Sequence, residues 1–431
     1  MVLITILLAL IALLMYGVPV TFAIGSSGML YFFIKPGMLS ALSVYAQRFF
    51  SGMDSFVFLC IPMFVFAGEV MNGSGMMNDL VNFCKVLVGR ARGGMAHVNV
   101  VASMLFGGIT GSGLADVSCL GPLEIKAMEE DGYSTAFSAA LTATSCIQGP
   151  IIPPSIPMVI FASLTNASVG GLFLGGIVPG IMIGLGQMLV IVLMAKRRNF
   201  PKSDVKLTAR EVFDVTKAAA AALMIPVILI GGIVSGFFTP TEAASVCAGY
   251  ATIAAWLIYK NLTWASLKRS LLSTVKISAS IYLIIAFVQT VGWVLAAEGV
   301  PQLINDFVVR NNFSPYTLIF LLNVFLLVNG CWLSDTAQLV LFAPIFTPIL
   351  VGMGLDPVHI GVMFVVNVMI GMITPPYGMA LYLSAAIARE PLRNVVVETL
   401  PFTAVSIAVL FVVSYFPSFV LFVPKMLGMI G

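Results

Sequence analysis

Charge is the scarcest property of this sequence of 431 residues. Lysine, arginine, aspartate and glutamate together make up 9% of it, whereas a soluble globular domain carries about 25% charged residues. Apolar residues make up 60%, which is enough for about a dozen membrane spans of roughly 20 residues each. This balance excludes a soluble enzyme, a secreted disulfide scaffold and a disordered chain. It predicts an integral membrane protein.

Reactive residues and recognition motifs are also scarce. The sequence has two histidines, His97 and His359, and its six cysteines form no CxxC pair and lie in apolar surroundings. HExxH, GxSxG and Walker-type phosphate loops are absent. The net charge is +3, without a basic cluster of the kind that binds nucleic acid. We therefore expect no enzyme activity, no cofactor and no nucleic-acid partner.

Apolar runs and their polar breaks predict ten spans. They lie near residues 2–16, 18–34, 55–73, 135–164, 172–195, 217–235, 242–259, 277–297, 359–388 and 399–423. Two longer apolar stretches, 94–128 and 314–351, have polar, glycine-rich centres, which is typical of helical hairpins that enter the membrane and return. No lysine or arginine precedes Lys35, so we expect the first run to be a retained span instead of a signal peptide.

The basic residues predict the orientation of the spans. If both hairpins are re-entrant and the N-terminus is periplasmic, all but four of the 21 lysines and arginines lie on the cytoplasmic side. Both termini are then periplasmic. The longest cytoplasmic loop, 196–216, carries a basic block that includes Lys202 and Lys206. Its residues Thr208 and Glu211 have the spacing of a capping box, which predicts the start of the next helix.

Helix-breaking residues repeat at a constant offset of 222 positions. The offset relates Gly108 to Gly330, Ser112 to Ser334, Pro122 to Pro344, Gly149-x-Ile-x-Pro-Pro to Gly371-x-Ile-x-Pro-Pro, and Pro179 to Pro401. Five spans and a hairpin in the first half make an odd number of crossings, which predicts an inverted second repeat. The predicted repeats are 1–216 and 217–431, with interfacial arms at 37–54 and 263–276, hairpins at 94–128 and 314–351, and broken spans at 135–164 and 359–388.

The broken spans have unwound centres that suit ions. Four prolines fall within residues 150–157, which a continuous helix does not tolerate, and residues 371–378 repeat the arrangement. Freed carbonyls and half-helix C-termini suit Na⁺, whereas half-helix N-termini suit an anion. The alternative is a proline kink that binds nothing.

The hairpin tips supply side-chain oxygens. The first tip offers Thr110, Ser112 and Asp116, and the second offers Ser334, Asp335 and Thr336. Acids within a membrane are costly and usually functional, although either aspartate could instead cap backbone N–H groups at its tip. We expect three other acids near span ends to be interfacial or structural: Glu69, Glu124 and Glu242.

The motifs GGITGSGLAD, GPIIPPSIPMVIFA, LFAPIFTPIL and GMITPPYGMALY resemble the large membrane (permease) subunit of tripartite ATP-independent periplasmic (TRAP) transporters. The resemblance implies an all-α fold similar to dicarboxylate/sodium symporters, with a scaffold and a moving transport domain. It implies Na⁺-coupled uptake of an organic acid, of the sialic acid or C4-dicarboxylate class, across the bacterial inner membrane. It also implies two partners, a periplasmic substrate-binding protein and a small four-helix membrane subunit, which we expect to be a separate chain.

The resemblance and the broken motifs together give candidate site residues. Candidate substrate contacts are Ser112, Ser155 and Asp335, and Asp116 is a further tip acid. Candidate sodium-site residues are Thr110, Gly111, Ser112, Gly149, Pro153, Gly330, Ser334, Thr336, Gly371 and Thr374. The transport domain is predicted near 94–171 and 314–394. The alternatives are a stand-alone ion-coupled organic-anion symporter or antiporter of the same fold, a channel, and, more remotely, an intramembrane enzyme.

Overall fold

The computed structural model describes residues 2–198, 200–201, 208–376 and 378–430. Every regular element in these ranges is an α-helix or a short 3₁₀ turn, which confirms the all-α prediction. Lys202 and Lys206, which belong to the predicted basic loop, lie outside the described residues.

Eleven helices form the described part of the first half. They are α1 (Val2–Met15), α2 (Val20–Ile34), α3 (Leu42–Met53), α4 (Cys60–Ser74), α5 (Met76–Val88), α6 (Gly94–Thr110), α7 (Gly113–Cys119), α8 (Gly121–Glu130), α9 (Thr135–Ser145), α10 (Ile156–Thr165) and α11 (Val169–Arg198).

Ten helices form the described part of the second half. They are α12 (Ala209–Val234), α13 (Pro240–Leu257), α14 (Trp264–Ala297), α15 (Val300–Arg310), α16 (Pro315–Gly330), α17 (Asp335–Gly352), α18 (Pro357–Gly371), α19 (Met379–Ala388), α20 (Leu392–Tyr415) and α21 (Ser418–Met426).

Six helical segments in the described ranges are long and apolar enough to cross a membrane unaided. They are Phe56–Ser74, Val169–Arg198, Ala209–Val234, Trp264–Ala297, Asp335–Gly352 and Leu392–Tyr415. Shorter apolar helices, among them α1, α2 and α18, accompany them. The chain is therefore a multi-pass membrane protein, while the number of full crossings and the sides of the termini stay predictions.

Local capping explains where several helices begin. Thr208 and Glu211 form the expected capping box: Glu211 N–H donates to Thr208 Oγ1 at 3.3 Å, and Thr208 N–H donates to Glu211 Oε2 at 2.7 Å. Thr239 and Glu242 repeat the box at the start of α13, which confirms the structural role expected for Glu242.

The structure corrects several sequence boundaries. The predicted arm 263–276 and span 277–297 form one continuous helix, α14, because no proline interrupts them. The predicted span 399–423 is two helices, since α20 starts at Leu392 and ends at Tyr415, just before Pro417. Helices α5 and α15 were not predicted, because their mixed polar and apolar faces lack a long apolar run.

Both predicted helix breaks are present. Helix α9 and the 3₁₀ turn Cys146–Gln148 end before the first break, and α10 resumes at Ile156. In the second half α18 ends at Gly371 and α19 resumes at Met379. Pairing across the halves brings the breaks together, because α9 packs on α19 and α10 packs on α17 and α18. The inversion of the second half and the membrane depth of the hairpins stay predictions.

Paired glycines let each hairpin approach the broken helix of its own half. Gly107 lies against Gly149, and Gly330 lies against Gly371, so that backbone meets backbone at both crossings. A Cβ atom added to Gly330 would lie 2.8 Å from Gly371 Cα, and one added to Gly149 would lie 2.7 Å from Gly107 Cα. Small residues serve the same purpose at other helix contacts in membranes.

Helix α11 supports the first break through a face of glycines four residues apart. Gly176 lies against the Ile151 carbonyl, Gly180 against the Ile152 side chain, and Gly184 near Gln148 Oε1. The Gln148 amide donates to Gln187 Oε1 at 2.8 Å, and the Gln187 amide donates to the Thr144 carbonyl at 2.8 Å. The turn that leads into the break is therefore held by buried polar groups.

The glycine crossing of the second half gives a stability prediction. We expect Gly330→Ala to destabilise the protein by about 1–3 kcal/mol, because the added methyl group overpacks a backbone contact. Gly231→Ala is the matched control, since a Cβ there meets nothing within 4 Å and removing a helix glycine favours the helix. Thermal unfolding of both variants in detergent measures the difference. Equal melting temperatures would contradict the packing described for Gly330.

Candidate functional site

A cavity of about 500 Å³ lies where the two hairpin tips and the first break converge. Its other wall is formed by α4 and α14. The predicted residues that line it are Thr110, Gly111, Ser112, Asp335 and Thr336. The structure therefore brings candidates from both halves of the sequence to one place.

The first tip joins α6 to α7 by a turn that only a few residues tolerate. Gly111 has a φ of +65°, a left-handed conformation that favours glycine. Its carbonyl accepts from Ile156 N–H at 3.3 Å, which links the tip to the first break. Ser112 Oγ accepts from Ala115 N–H at 3.4 Å and caps α7. Thr110 Oγ1 is buried and has no hydrogen-bond partner within the described ranges.

The second tip has a closely similar geometry 222 positions later. Ser334 Oγ accepts from Ala337 N–H at 3.3 Å and caps α17, as Ser112 caps α7. Asp335 and Thr336 follow in the first turn of α17 and face the cavity. Ser112 and Ser334 therefore cap both tips. The Asp335 carboxylate also accepts from the backbone N–H groups of Asp335 and Thr336, so the capping alternative stays open for that acid.

The first break contributes Pro150, Ile156 and Pro157 to the cavity wall. Ser155, a predicted substrate contact, is fully buried and does not line the cavity. Its hydroxyl donates to the Pro150 carbonyl and accepts from Met158 N–H at 3.2 Å, which caps α10. In this conformation Ser155 holds the break in shape, and its contact with a substrate stays a prediction.

The remaining predicted sodium residues do not line the cavity. Gly149, Gly330 and Gly371 form the glycine crossings. Thr374 Oγ1 donates to the Ile370 carbonyl at 2.7 Å, at the end of α18. Pro153 lies near Gly108, and Ser334 caps its helix without lining the cavity. Their part in ion binding is untested by this geometry.

Three polar residues on the α4 and α14 side of the cavity were missed by the sequence reasoning. Glu69 of α4 faces the cavity, although we expected it to be interfacial or structural. Ser273 and Ser280 of α14 face it as well, together with Ile277 and Ile281. The spacing of 273, 277, 280 and 281 marks one helix face, which was a usable signal. The presence of an acid, Glu69, inside the apolar run 55–73 was a second usable signal.

Asp116 lies behind the first tip, not in the cavity. It is 1% exposed, and neither carboxylate oxygen has a hydrogen-bond partner within the described ranges. Glu124 is 2% exposed and its Oε2 accepts from Asn99 Nδ2 at 2.8 Å, so of the two expected positions it has the structural one and not the interfacial one.

The lining of the cavity carries negative side chains and positive helix ends. Glu69 and Asp335 are its acids, and no lysine, arginine or histidine lines it within the described ranges. The N-termini of α10 and α17 reach it at Ile156 and Asp335, and helix N-termini carry partial positive charge. The described lining has no pair of a nucleophile and a base, as a catalytic site would need. Its hydroxyls, carboxylates and helix ends suit the binding of ions and polar solutes.

Comparison with known proteins decides the family. Residues 7–419 match the model of the tripartite ATP-independent periplasmic transporter, DctM component. The chain belongs to this family. It is 38% identical over 416 residues to the sialic acid TRAP transporter large permease protein SiaM of Vibrio cholerae, covering 96% of this chain and 97% of that protein. It is 35% identical to the C4-dicarboxylate TRAP transporter large permease protein DctM of Pseudomonas aeruginosa, covering 94% and 95%.

The fold of this TRAP large permease is also found among solved transporters. The YdaH transporter of Alcanivorax borkumensis matches with a TM-score of 0.63 at 14% identity, covering 90% of each chain. At that identity the likeness concerns the fold alone. The family membership confirms the predicted resemblance and makes the protein a transporter, which removes the intramembrane enzyme from consideration.

The cavity gives a labelling prediction on one helix of this TRAP permease. In a background where the half-exposed Cys119 and Cys331 are alanine, we expect Ser280→Cys to react with a charged methanethiosulfonate. Ser278→Cys is the matched control, because Ser278 lies on the same helix but is 6% exposed. Mass spectrometry of the labelled protein measures both rates. Equal labelling, or labelling of position 278 alone, would contradict the cavity.

Proposed function

We propose that this TRAP large permease carries out Na⁺-coupled uptake of a small organic acid across the bacterial inner membrane. The observation that carries the proposal is the cavity between the two tips. It joins hydroxyls, carboxylates and helix N-termini, and no basic side chain lines it in the part of the chain that the structure describes. An organic anion cannot be neutralised there by lysine or arginine. Bound cations therefore supply the positive charge, which couples anion binding to cation binding.

The residues at the first tip fit a sodium ion. Among the described residues Thr110 Oγ1 is a buried oxygen without a hydrogen-bond partner, and the carbonyl of the next residue, Gly111, accepts from Ile156 N–H. Na⁺ is a hard cation that takes oxygen ligands, like other hard cations. At the second tip Asp335 and Thr336 supply further oxygens, close to the predicted sodium residues Ser334, Gly371 and Thr374. Ser112 and Asp335 face the space where a solute would lie.

The solute class rests on relatives with different substrates. One similar protein is named for sialic acid and another for C4-dicarboxylates. Both are hydroxylated or carboxylated organic acids, and the cavity offers acceptors for hydroxyls and helix N-termini for a carboxylate. Asp335 then accepts a hydrogen bond from a solute hydroxyl or helps to hold the cation. Either role explains why an acidic side chain faces the site of an anionic solute.

The partners follow from the tripartite family. We propose that a periplasmic substrate-binding protein delivers the solute and that a small four-helix membrane subunit packs against the scaffold helices. The basic residues orient both termini of the permease to the periplasm. The alternative, a stand-alone symporter or antiporter, dispenses with the binding protein.

The motion that we propose is of the elevator type. The hairpins and broken helices move as a transport domain against a scaffold that includes α4 and α14. The cavity lies between the tips of the transport domain and these two helices. Moving one net positive charge inward at about 100 mV supplies roughly 2.3 kcal/mol. Two Na⁺ with each monoanion would gain that amount, before the chemical gradient of Na⁺ is counted.

Reconstituted uptake tests the coupling and the delivery together. We expect proteoliposomes that contain the permease and its small subunit to accumulate solute when Na⁺ and the binding protein are outside. Replacing Na⁺ with K⁺ is expected to reduce uptake to the background of empty vesicles. Undiminished uptake in K⁺ would overturn the coupling. Full uptake of free solute without the binding protein would favour the stand-alone alternative.

The second-tip acid has its own test. We expect Asp335→Asn to abolish uptake while its melting temperature stays close to that of the parent protein, because the side chain faces a cavity instead of the packed core. The matched control is Asp306→Asn on α15, an exposed acid away from the cavity. Normal uptake by Asp335→Asn, or equal loss in both variants, would remove Asp335 from the site.

A further inference from the structure

An open crevice of about 500 Å³ lies between the C-terminal end of α5, the start of α6 and the outer face of α11. None of its lining residues belongs to the cavity between the tips. It is therefore a separate concave surface, outside the site proposed for transport.

One wall of the crevice is apolar. Leu185, Met188, Leu189 and Val192 share one face of α11, as their spacing of three and four residues requires. Leu185 and Leu189 are each 59% exposed, and Leu87 of α5, which also lines the crevice, is 57% exposed. Because α11 is long and apolar enough to cross a membrane, we expect this exposed face to contact lipid chains.

The other end of the crevice is basic. Arg90 lines it from the loop between α5 and α6, and no acid lines the crevice within the described ranges. Gly93 N–H donates to the Pro201 carbonyl at 2.9 Å, which holds this loop beside the segment that follows α11. The last turn of α11 adds basic residues, of which only Arg198 is in an ion pair among those described: Lys196, Arg197 and Arg198. The predicted orientation places this end on the cytoplasmic side.

A buried histidine without a full set of partners lies beside the basic end. His97 lines the crevice and is 3% exposed, and its Nδ1 atom has no hydrogen-bond partner within the described ranges. Buried polar atoms in proteins are almost always paired. An unpaired ring nitrogen at the wall of a crevice therefore indicates that a polar ligand binds there.

A crevice in the second half lacks this combination. It has a volume of about 420 Å³, and Ile319, which lies 222 positions after His97, takes the place of the histidine in its lining. Its charged lining residues have opposite signs, Asp356 and Lys425. It contains a histidine of its own, His359, but the Nε2 atom of that ring is hydrogen-bonded to a backbone carbonyl. We therefore expect anion recognition in the first-half crevice and not in this one.

We propose that the first-half crevice binds one anionic phospholipid, with its headgroup at Arg90 and His97 and an acyl chain along the outer face of α11. Exposed leucines suit a lipid chain and give a free anion no contact, so their presence beside a basic end favours a lipid over inorganic phosphate. Basic pockets between membrane helices on the cytoplasmic side bind such headgroups in other proteins.

Phosphatidylglycerol matches the polar groups of the crevice. An arginine guanidinium binds a phosphate through two parallel hydrogen bonds. The headgroup also suits His97 in either tautomer, because its phosphate accepts from an N–H and its glycerol hydroxyls donate to a bare ring nitrogen. A lipid in this position contacts both α5 and α11 and stabilises the corner where the first hairpin begins. This inference goes beyond the proposed transport and depends on neither sodium nor solute.

Competition between two phospholipids tests the site. The permease is purified in detergent with its small subunit and mixed with equal amounts of phosphatidylglycerol and phosphatidylcholine that carry the same acyl chains. Native mass spectrometry then counts each lipid retained per permease. We expect the parent protein to prefer phosphatidylglycerol and Arg90→Gln to lower that preference about fivefold, the effect of one basic residue on an anionic lipid. Arg393→Gln is the matched control, because it removes an exposed arginine that does not line the crevice.

A photoactivatable acyl chain locates the bound lipid. We expect phosphatidylglycerol of this kind to cross-link within residues 185–192 of the parent protein, and less in Leu189→Gln, because a polar side chain then faces the lipid chain. Leu189 is exposed, so this change leaves the packed core intact. Leu189→Gln therefore also provides the comparison if Arg90→Gln is not monodisperse.

Each contrary outcome overturns a stated part of the inference. Equal retention of both lipids by the parent protein overturns recognition of an anionic headgroup, and an unchanged preference in Arg90→Gln overturns the assignment to this crevice. Displacement of phosphatidylglycerol by inorganic phosphate assigns the basic end to a free anion and overturns the lipid. Cross-links that lie only outside 185–192, on the small subunit or elsewhere, overturn the position of the chain. None of these outcomes bears on sodium-coupled uptake, which is measured separately.

Discussion

A helix that is interrupted inside a membrane must find partners for its backbone N–H and C=O groups within the protein. Most of the arrangement seen here follows from that requirement. The serine hydroxyls of Ser112, Ser155 and Ser334 cap the half-helices that begin after each interruption in the two tips and the first break. The Gly111 carbonyl and Ile156 N–H join tip to break, and the glycine face of α11 closes over the unwound segment.

The same requirement positions the charged and polar groups of the cavity. Half-helix N-termini can converge on one cavity only if their backbones come close together, and the glycine crossings at Gly107–Gly149 and Gly330–Gly371 allow this. Once the N-termini converge, the cavity combines partial positive charge with the acids Glu69 and Asp335. The groups on which the proposed binding of an anion with cations depends are therefore brought together by the way the broken backbone is satisfied.

The sequence predicted the breaks and tips because glycine and proline act locally on the backbone. The constant offset between Ser112 and Ser334 survives in the structure as two helix caps of the same geometry. The positions of Glu69, Glu124 and the serines of α14 were not predictable in this way. They depend on how α4, α8 and α14 pack in the protein. The helix-face spacing on α14 and the acid in the apolar run of α4 mark candidate residues, but they do not show what those residues face. The continuity of α14 was missed because a polar, basic stretch was interpreted as a separate arm, whereas helical hydrogen bonding runs through it.

The central claim is that an organic anion and an excess of cations move together through the cavity between the tips. The most direct measurement is the current recorded on a solid-supported membrane when solute and binding protein are added to reconstituted transporter. The account predicts an inward positive current in Na⁺ that vanishes when choline replaces Na⁺ and is absent in Asp335→Asn. Solute accumulation without current, or a current that is the same in choline, would contradict it.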